Sequence, residues 1–167
     1  MARRIEHQCS YDTDSAAVFA TVIDERYLRA RLAEIGGPRA RLEEFTVTEN
    51  GMSSHARHGV DAADLPSAVR ALVGGDLTID RRESWQRNGH AYTGSIEVSI
   101  PNMPGDLSAQ TQLSDLAAGS ELRTDGSIRI PIPLVGAKIE ESVSAHLIAL
   151  LDTEHEFTVR WLREQQR

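Results

Sequence analysis

Two charged side chains interrupt the apolar face of one predicted strand, and they are the residues best placed to do chemistry. In the segment that begins at Leu77, Ile79 and Trp85 define the inward face, and Arg81 and Glu83 fall in the same phase. Burying two charges is unfavourable unless they are paired. Either a bulge or an opening at the sheet edge exposes them, or they are polar groups inside an apolar cavity and orient a ligand's carboxylate or hydroxyl.

The histidines lack the spacing of a metal site. His55 and His58 are three residues apart on a predicted strand, so they point to opposite faces. His146 and His155 are nine residues apart on a predicted helix, about half a turn out of phase. The sequence also lacks a cysteine pair and an H-E-x-x-H motif. We therefore predict no metal ion and no other cofactor.

Cys9 is the only candidate nucleophile that the sequence suggests, because the G-x-S-x-G motif is absent. His7 shares its strand face and could pair with it. A single cysteine on an apolar face is, however, more typical of a small buried hydrophobic residue. The glycines at 74–75 and the segment 136–138 lack the spacing of a phosphate-binding loop. The sequence therefore predicts no catalytic residue.

Charge and composition narrow the class of partner. The 167 residues include 18 Lys and Arg against 25 Asp and Glu, which gives a formal net charge of −7. Nucleic-acid binding relies on clustered positive charge, so we predict no nucleic-acid partner. With 40% hydrophobic and 26% charged residues, the chain is typical of one globular domain over residues 1–167. We interpret its arginine pairs, which are interleaved with acids, as solvated surface. The pairs are Arg3 and Arg4, Arg29 and Arg31, Arg39 and Arg41, and Arg81 and Arg82.

The sequence carries no signal for export or for a membrane. Cys9 is the only cysteine, so no intramolecular disulfide can form. Arg3 and Arg4 are not followed by the apolar region of a signal peptide. No segment approaches the roughly 18 apolar residues of a membrane span. We expect a cytoplasmic protein with no transmembrane segment.

The first third of the chain predicts one strand and two helices. Residues 3–11 alternate between apolar and polar side chains, as in a half-buried strand. Capping residues then begin a short helix at 15–23 and a second helix at 24–35. Gly-Gly-Pro at 36–38 ends the second helix.

Period-two alternation returns after these helices and predicts six further strands. The Asn-Gly pairs at 50–51 and 88–89 are strong hairpin signals. The segment 61–75 contains a short helix and is either a lid over a cavity or an ordinary connection. The strands are predicted at 42–49, 52–59, 77–86, 91–100, 107–117 and 120–132.

After Pro133, apolar residues recur at three- and four-residue steps over about 30 residues, which predicts a helix about 45 Å long. Hairpin-linked strands pair antiparallel and present one apolar face, which this helix is large enough to cover. The predicted fold is therefore α+β, a curved antiparallel sheet of about seven strands around a long C-terminal helix. Space remains between them where the facing side chains are small. The helix presents Ile139, Val143, Leu147, Leu150, Leu151, Phe157 and Trp161.

This order of elements resembles the START-related, Bet v 1-like superfamily, also called SRPBCC or the polyketide cyclase and lipid-transport group. The strand ending in Tyr11 and the capped helix that begins at Ser15 are similar to its first elements. The passage 130–140, Ile-Pro-Ile-Pro-Leu-Val-Gly-Ala-Lys-Ile-Glu, and the strand with Trp85 most resemble an uncharacterised bacterial family within it. The resemblance implies a helix-grip fold with a cavity for lipids, sterols, polyketides or other apolar molecules. It implies no universal catalytic residue.

The leading hypothesis is that the protein binds or carries an apolar small molecule, such as a lipid, fatty acid, isoprenoid or polyketide, without catalysis. One alternative is a polyketide cyclase or aromatase that uses Arg81, Glu83 or a histidine for acid–base work. The other is a protein-interaction module that uses the sheet edge or the long helix. The sequence leaves the ligand's identity and the oligomeric state open. The candidate ligand-binding residues are His58, Arg81, Glu83, Trp85, Tyr92, Ile96, Val98, Leu113, Ile128, Ile130, Val143, Leu147 and Leu150.

Overall fold

A seven-stranded antiparallel sheet wraps around one long helix in the computed structural model, which describes residues 2–167. Two short helices follow the first strand, and a third lies between the third and fourth strands. The predicted fold class, α+β with a helix-grip arrangement, is confirmed. The elements are β1 (Arg3–Tyr11), α1 (Ser15–Val22), α2 (Glu25–Ile35), β2 (Arg41–Thr48), β3 (Gly51–Val60), a 3₁₀ turn (Ala62–Asp64), α3 (Ser67–Val73), β4 (Leu77–Asn88), β5 (Ala91–Ser99), β6 (Asp106–Asp115), β7 (Ser120–Arg129) and α4 (Gly136–Gln165).

The strands follow one another across the sheet from β2 to β7, and β1 forms the edge beyond β7. The order is β1-β7-β6-β5-β4-β3-β2, and every neighbouring pair is antiparallel. β1 pairs along β7, with Arg3 opposite Ile128 and Tyr11 opposite Ser120. β4 therefore lies inside the sheet, between β3 and β5, and every other side chain of β4 faces the helices.

Helix α4 has 30 residues and is about 45 Å long, so it reaches across the sheet. Near its first turns, Ile139 is buried with Leu77 of β4 and with Leu65 and Val69 of the segment 61–75. Farther along, Phe157 packs in a larger aromatic and aliphatic cluster with α1, α2 and the sheet. None of the helices between residues 2 and 167 combines the length and hydropathy that crossing a bilayer requires.

The first Asn-Gly hairpin forms, but its glycine has a different role from the one that the motif suggests. Thr48 pairs with Gly51, so the turn consists of residues 49–50 and Gly51 already belongs to β3. A Cβ atom on Gly51 would lie 1.8 Å from the carbonyl oxygen of Trp85. The glycine therefore permits the close approach of β4. In the β4–β5 hairpin, Gly89 lies in the turn itself with φ of 64°.

The last strand is shorter than predicted. β7 ends at Arg129, and Pro131 lies two residues later, where a missing N–H prevents further ladder hydrogen bonds. The amide of Ile130 instead donates to the carboxylate of Glu140, at 3.0 Å. This bond ties the end of the sheet to the first turns of α4, which begins at Gly136.

The turn between α2 and β2 packs on the backbone of β3. The amide of Gly59 donates to the carbonyl of Gly36 at 2.9 Å, and a Cβ atom on Gly59 would lie 1.8 Å from the carbonyl oxygen of Pro38. Gly37 has φ of 82°, and a Cβ there would lie 1.9 Å from the carbonyl oxygen of Gly59. Only glycine at positions 37 and 59 allows this contact, which holds the end of α2 against the sheet.

Candidate ligand-binding site

Four buried side chains, Arg31, Arg81, Glu83 and Glu154, form a cluster that we call the charged quartet. Arg81 donates from both terminal nitrogens to the carboxylate of Glu154, at 2.6 and 3.0 Å. Arg81 also lies 2.5 Å from the carboxylate of Glu83, which accepts a hydrogen bond of 2.9 Å from Arg31. Each of the four residues is only 7% exposed. The interpretation of Arg81 and Glu83 as exposed by a bulge or a sheet edge is therefore wrong.

Three separate elements supply the quartet. Arg81 and Glu83 are two residues apart on β4, so both project from its inward face. Arg31 lies on the buried stripe of α2, one helical turn after Tyr27. Glu154 lies on the face of α4 that covers the sheet. The helix-grip arrangement is what brings these charges within hydrogen-bond distance.

Mutual pairing keeps the quartet ionised. Burial opposes the ionisation of Glu154, but the charges of Arg81 and Arg31 outweigh it and lower the pKa of that carboxyl to about 2. The same two guanidinium groups overcome the effect of burial on Glu83 and lower its pKa. Two positive and two negative charges then sum to zero. Neither carboxyl carries a proton that it could donate at neutral pH.

Two internal spaces meet at the quartet. The larger one, which we call the apolar chamber, has a volume of about 160 Å³. The smaller one, of about 60 Å³, is lined by polar and aromatic groups that include Tyr27, Trp85 and Thr111. Arg81 lines both and therefore lies between them. The aliphatic residues of the apolar chamber are Ile5, Ile35, Val60, Ile79, Ile96, Val98, Leu107, Ala109, Leu147, Leu150 and Leu151.

Small residues on two neighbouring strands leave room for the apolar chamber. Ala109 of β6 lies opposite Gly126 of β7, and both line the chamber. A Cβ atom on Gly126 would lie 2.7 Å from the Cβ of Ala109. Larger side chains at this pair of positions would occupy the space, so the chamber depends on these two residues.

The candidate residues inferred from sequence divide into three groups. His58, Ile96, Val98, Leu147 and Leu150 line the apolar chamber, together with Arg81. Glu83 and Trp85 line the smaller chamber, which Arg81 and Ile96 also border. The remaining residues line neither space and have packing positions instead: Tyr92, Leu113, Ile128, Ile130 and Val143.

Those five residues pack where other elements close on the sheet. The ring of Tyr92 stacks on Phe19 of α1 with centroids 4.3 Å apart, and Leu113 is completely buried in the same cluster. Ile128 is buried with Ile5 and Leu107, and Ile130 and Val143 pack against that group. Periodicity identified their inward direction, but it does not show which inward positions another helix covers.

His58 differs from the rest of the lining because its Nε2 atom is buried without a hydrogen-bond partner. Burial and the neighbouring charge of Arg81 lower the pKa of His58 to about 4. Its imidazole is therefore neutral at physiological pH. A neutral ring nitrogen can act as donor or acceptor, depending on the tautomer.

The sequence of this chain matches the model of a known protein family. The family described as "Protein of unknown function (DUF2505)" matches residues 6–162. The chain belongs to the DUF2505 family. Relatives named as uncharacterized proteins of Mycobacterium tuberculosis (strain H37Rv) and Mycobacterium bovis are 29% identical over 171 residues, which covers 97% of this chain and 98% of each relative.

Solved structures share the fold of this DUF2505 chain at low sequence identity. A Thermus thermophilus protein aligns with a TM-score of 0.62 and 11% identity over 99% of this chain and 100% of its own. Thalictrum flavum norcoclaurine synthase gives 0.59 and 10% over 100% and 98%. Ara h 8.0201 gives 0.58 and 10% over 98% and 99%. The predicted resemblance to the START-related, Bet v 1-like superfamily is confirmed at the level of fold.

Two members of the quartet, Arg31 and Glu154, are not among the candidate residues predicted from sequence, and the interpretation of the arginine pairs as solvated surface is wrong for Arg31 and Arg81. Arg29 is exposed, as predicted, whereas Arg31 is buried. Arg81, of the pair with Arg82, is also buried. The spacing of Arg31 from Tyr27 and Leu28 on one helix face was the available signal. Glu154 likewise falls in the apolar stripe of α4, four residues after Leu150 and three before Phe157.

The environment of Cys9 does not favour a nucleophile. Burial raises the pKa of the Cys9 thiol, so the thiolate is disfavoured. The Nε2 atom of His7 lies 2.7 Å from Asp152 on α4. Within residues 2–167, no three His, Cys, Asp or Glu side chains form a group that could hold a metal ion.

One hydrogen bond beside the quartet gives a stability prediction. Thr158 donates to the carbonyl of Glu154 at 2.7 Å, so the hydroxyl of Tyr27, 2.6 Å from Thr158 Oγ1, must donate to it. Thr158→Val leaves the Tyr27 hydroxyl proton without this acceptor, and we expect a loss of about 2 kcal/mol in the free energy of unfolding. Tyr27→Phe, which leaves the Thr158 bond to the backbone intact, is expected to lose only about 1 kcal/mol. Urea unfolding of both variants tests this order, and equal losses would contradict it.

Proposed function

We propose that this protein binds an apolar small molecule in the apolar chamber between the sheet and α4. The observation that carries the proposal is the chamber itself, which has a volume of about 160 Å³ and is lined mainly by aliphatic side chains from β1, β3–β6, the end of α2 and α4. Pockets of this kind combine apolar walls with a few polar groups that set orientation. His58 and Arg81 are such groups in this lining.

The volume suggests a compact ligand. An engineered protein cavity of about 150 Å³ that is lined by apolar residues binds benzene or xenon. A chamber of about 160 Å³ therefore suits one small ring or a short aliphatic chain. A long acyl chain or a sterol would require α4 or the segment 61–75 to move outward.

The fold is compatible with small organic ligands. The structure of norcoclaurine synthase, which shares this fold, is that of a point mutant in complex with a transition-state analogue. The ion pairing within the quartet favours binding over the cyclase alternative for this chain. Arg81 and Glu83 are engaged in ion pairs, and the neighbouring Arg31 and Arg81 charges lower the Glu83 pKa despite burial, which disfavours a role as general acid.

Filling the chamber is expected to weaken binding. Ala109→Leu adds three carbon atoms to the wall of the apolar chamber, and we expect at least a tenfold loss of affinity for toluene. The measurement is an NMR titration with toluene, followed through the methyl resonances of the chamber leucines.

Ala149→Leu is the matched control, because Ala149 is exposed on α4 and the chemical change is the same. This variant is expected to bind toluene as the unaltered protein does. Undiminished toluene binding by Ala109→Leu, or failure of toluene, benzyl alcohol and benzoate alike to bind the unaltered protein, would overturn the proposal.

A further inference from the structure

The charge balance of the interior limits what the apolar chamber can hold. The quartet consists of two guanidinium groups and two carboxylates, and Arg81 lines the chamber with its terminal nitrogens already engaged by Glu154 and Glu83. A ligand carboxylate would add a third negative charge without a free counter-charge. Because electrostatic repulsion is strong where water is excluded, this interior disfavours an anion.

Two unsatisfied nitrogens belong to side chains that line the same chamber, although neither atom is exposed to it. His58 Nε2 and Arg81 Nε are both buried and without a hydrogen-bond partner, and both side chains line the chamber. The Nε of Arg31 is also without a hydrogen bond, but it lies 3.8 Å from Glu154, and Arg31 lines only the smaller chamber. Buried polar atoms are satisfied in most proteins, so each such atom requires an explanation.

The strand register brings His58 and Arg81 together. His58 of β3 lies directly opposite Ile79 of β4, and Arg81 is the next inward residue along β4. The two are therefore diagonal neighbours on one face of the sheet, a separation that long and aromatic side chains can bridge. Among the lining residues, the buried polar atoms without a hydrogen-bond partner therefore lie at this pair.

We infer that the apolar chamber selects an uncharged molecule that carries a hydroxyl group, which a rotation of the His58 and Arg81 side chains admits between His58 Nε2 and Arg81 Nε. This inference rests on the proposed function and names the class of ligand. The hydroxyl oxygen accepts a hydrogen bond from Arg81 Nε. The same group donates to His58 Nε2, or accepts from it in the other tautomer. The ligand class is thus small apolar alcohols, as opposed to hydrocarbons or fatty acids.

Three probes of one size test the inference on the unaltered protein: toluene, benzyl alcohol and benzoate. In a purely apolar pocket benzyl alcohol binds more weakly than toluene, because its hydroxyl loses hydrogen bonds to water. Here we expect benzyl alcohol to bind at least tenfold more tightly than toluene, and at least a hundredfold more tightly than benzoate, in calorimetric titrations at pH 7.5.

His58→Phe keeps a ring in the wall and removes both nitrogens. The variant is expected to lose the preference for benzyl alcohol, so that its affinities for benzyl alcohol and toluene lie within threefold of each other. His90→Phe is the control, because His90 is an exposed residue in the β4–β5 turn. If His58→Phe does not fold, the imidazole ¹⁵N resonances of His58 in the unaltered protein serve instead. They are expected to shift with benzyl alcohol and not with toluene.

The outcomes separate this inference from the proposed function. Toluene binding without a preference for benzyl alcohol, or tighter binding of benzoate than of benzyl alcohol, would overturn the inference and leave the proposed function intact. Failure of all three probes to bind would overturn both. A preference for the alcohol that survives in His58→Phe would also overturn the inference, because the hydroxyl would then bind away from His58.

Discussion

Glu154→Gln is expected to destabilise the protein by about 3–5 kcal/mol, a large fraction of the stability of a typical domain. The substitution keeps the shape of the side chain and removes its charge. Arg81 then loses the bidentate partner at 2.6 and 3.0 Å and remains buried with only Glu83, which Arg31 also requires. Guanidinium chloride unfolding at pH 7 measures the change.

Two comparisons separate the charge effect from a general effect of substitution. Glu156→Gln makes the same change at an exposed position of α4 and is expected to lose less than about 0.5 kcal/mol. The double variant Arg81→Met, Glu154→Leu removes one positive and one negative charge and leaves Arg31 paired with Glu83 at 2.9 Å. It is expected to be more stable than Glu154→Gln alone. A double variant less stable than that single variant would contradict the account.

Acid is expected to destabilise the protein well before the carboxyl groups titrate, because His58 is held neutral. Its pKa is about 4 in the folded state against 6.5 for an unperturbed histidine, so the unfolded chain binds more protons as the pH falls below 6.5. The stability contributed by the neutral ring is complete above pH 6.5 and is lost as the pH falls towards 4. We expect a loss of about 2 kcal/mol between pH 7.5 and pH 5, measured by urea unfolding across that range.

His58→Phe is expected to remove most of this pH dependence, and His90→Phe, at an exposed turn position, is expected to retain it. A second decline should follow at lower pH. The folded-state pKa of Glu154 is about 2 against an ordinary value of 4.5, so its contribution is present above pH 4.5 and is lost as the pH falls through 2. The account is wrong if the stability of His58→Phe falls between pH 7.5 and pH 5 as steeply as that of the unaltered protein.

The fold could be predicted from the sequence because the residue patterns that indicate each element are local. Alternation along β6 and the three- and four-residue steps along α4 each determine which face of one element is buried. The details in which the structure differs from the prediction depend on contacts between neighbouring strands. Gly51 is required by the approach of the Trp85 carbonyl, which a hairpin motif alone does not contain.

The candidate site could be predicted only in part, because sequence patterns report on single elements and the site is built from several. The inward phase of Arg81 and Glu83 follows from the period of one strand, and so does that of His58. The ion-pair partners of Arg81 and Glu83 are Glu154 and Arg31. These two residues lie 73 and 50 residues from Arg81 along the chain. Pairing over that distance is decided by how α2 and α4 cross the sheet, and periodicity carries no information on such crossings. The division into two chambers likewise follows from where small residues meet on neighbouring strands.

The charged quartet also protects the sheet against misalignment. A slip of β4 by two residues would keep every apolar side chain on its proper face, so the hydrophobic pattern alone does not exclude it. Such a slip would move Arg81 and Glu83 by about 7 Å along the strand and break the hydrogen bonds that join them to Glu154 and Arg31. Wrong pairings of β3, β4 and β5 are penalised because they leave these buried charged groups without their hydrogen-bond partners. The ion cluster thus gives this sheet conformational specificity, in that it marks one strand alignment as native.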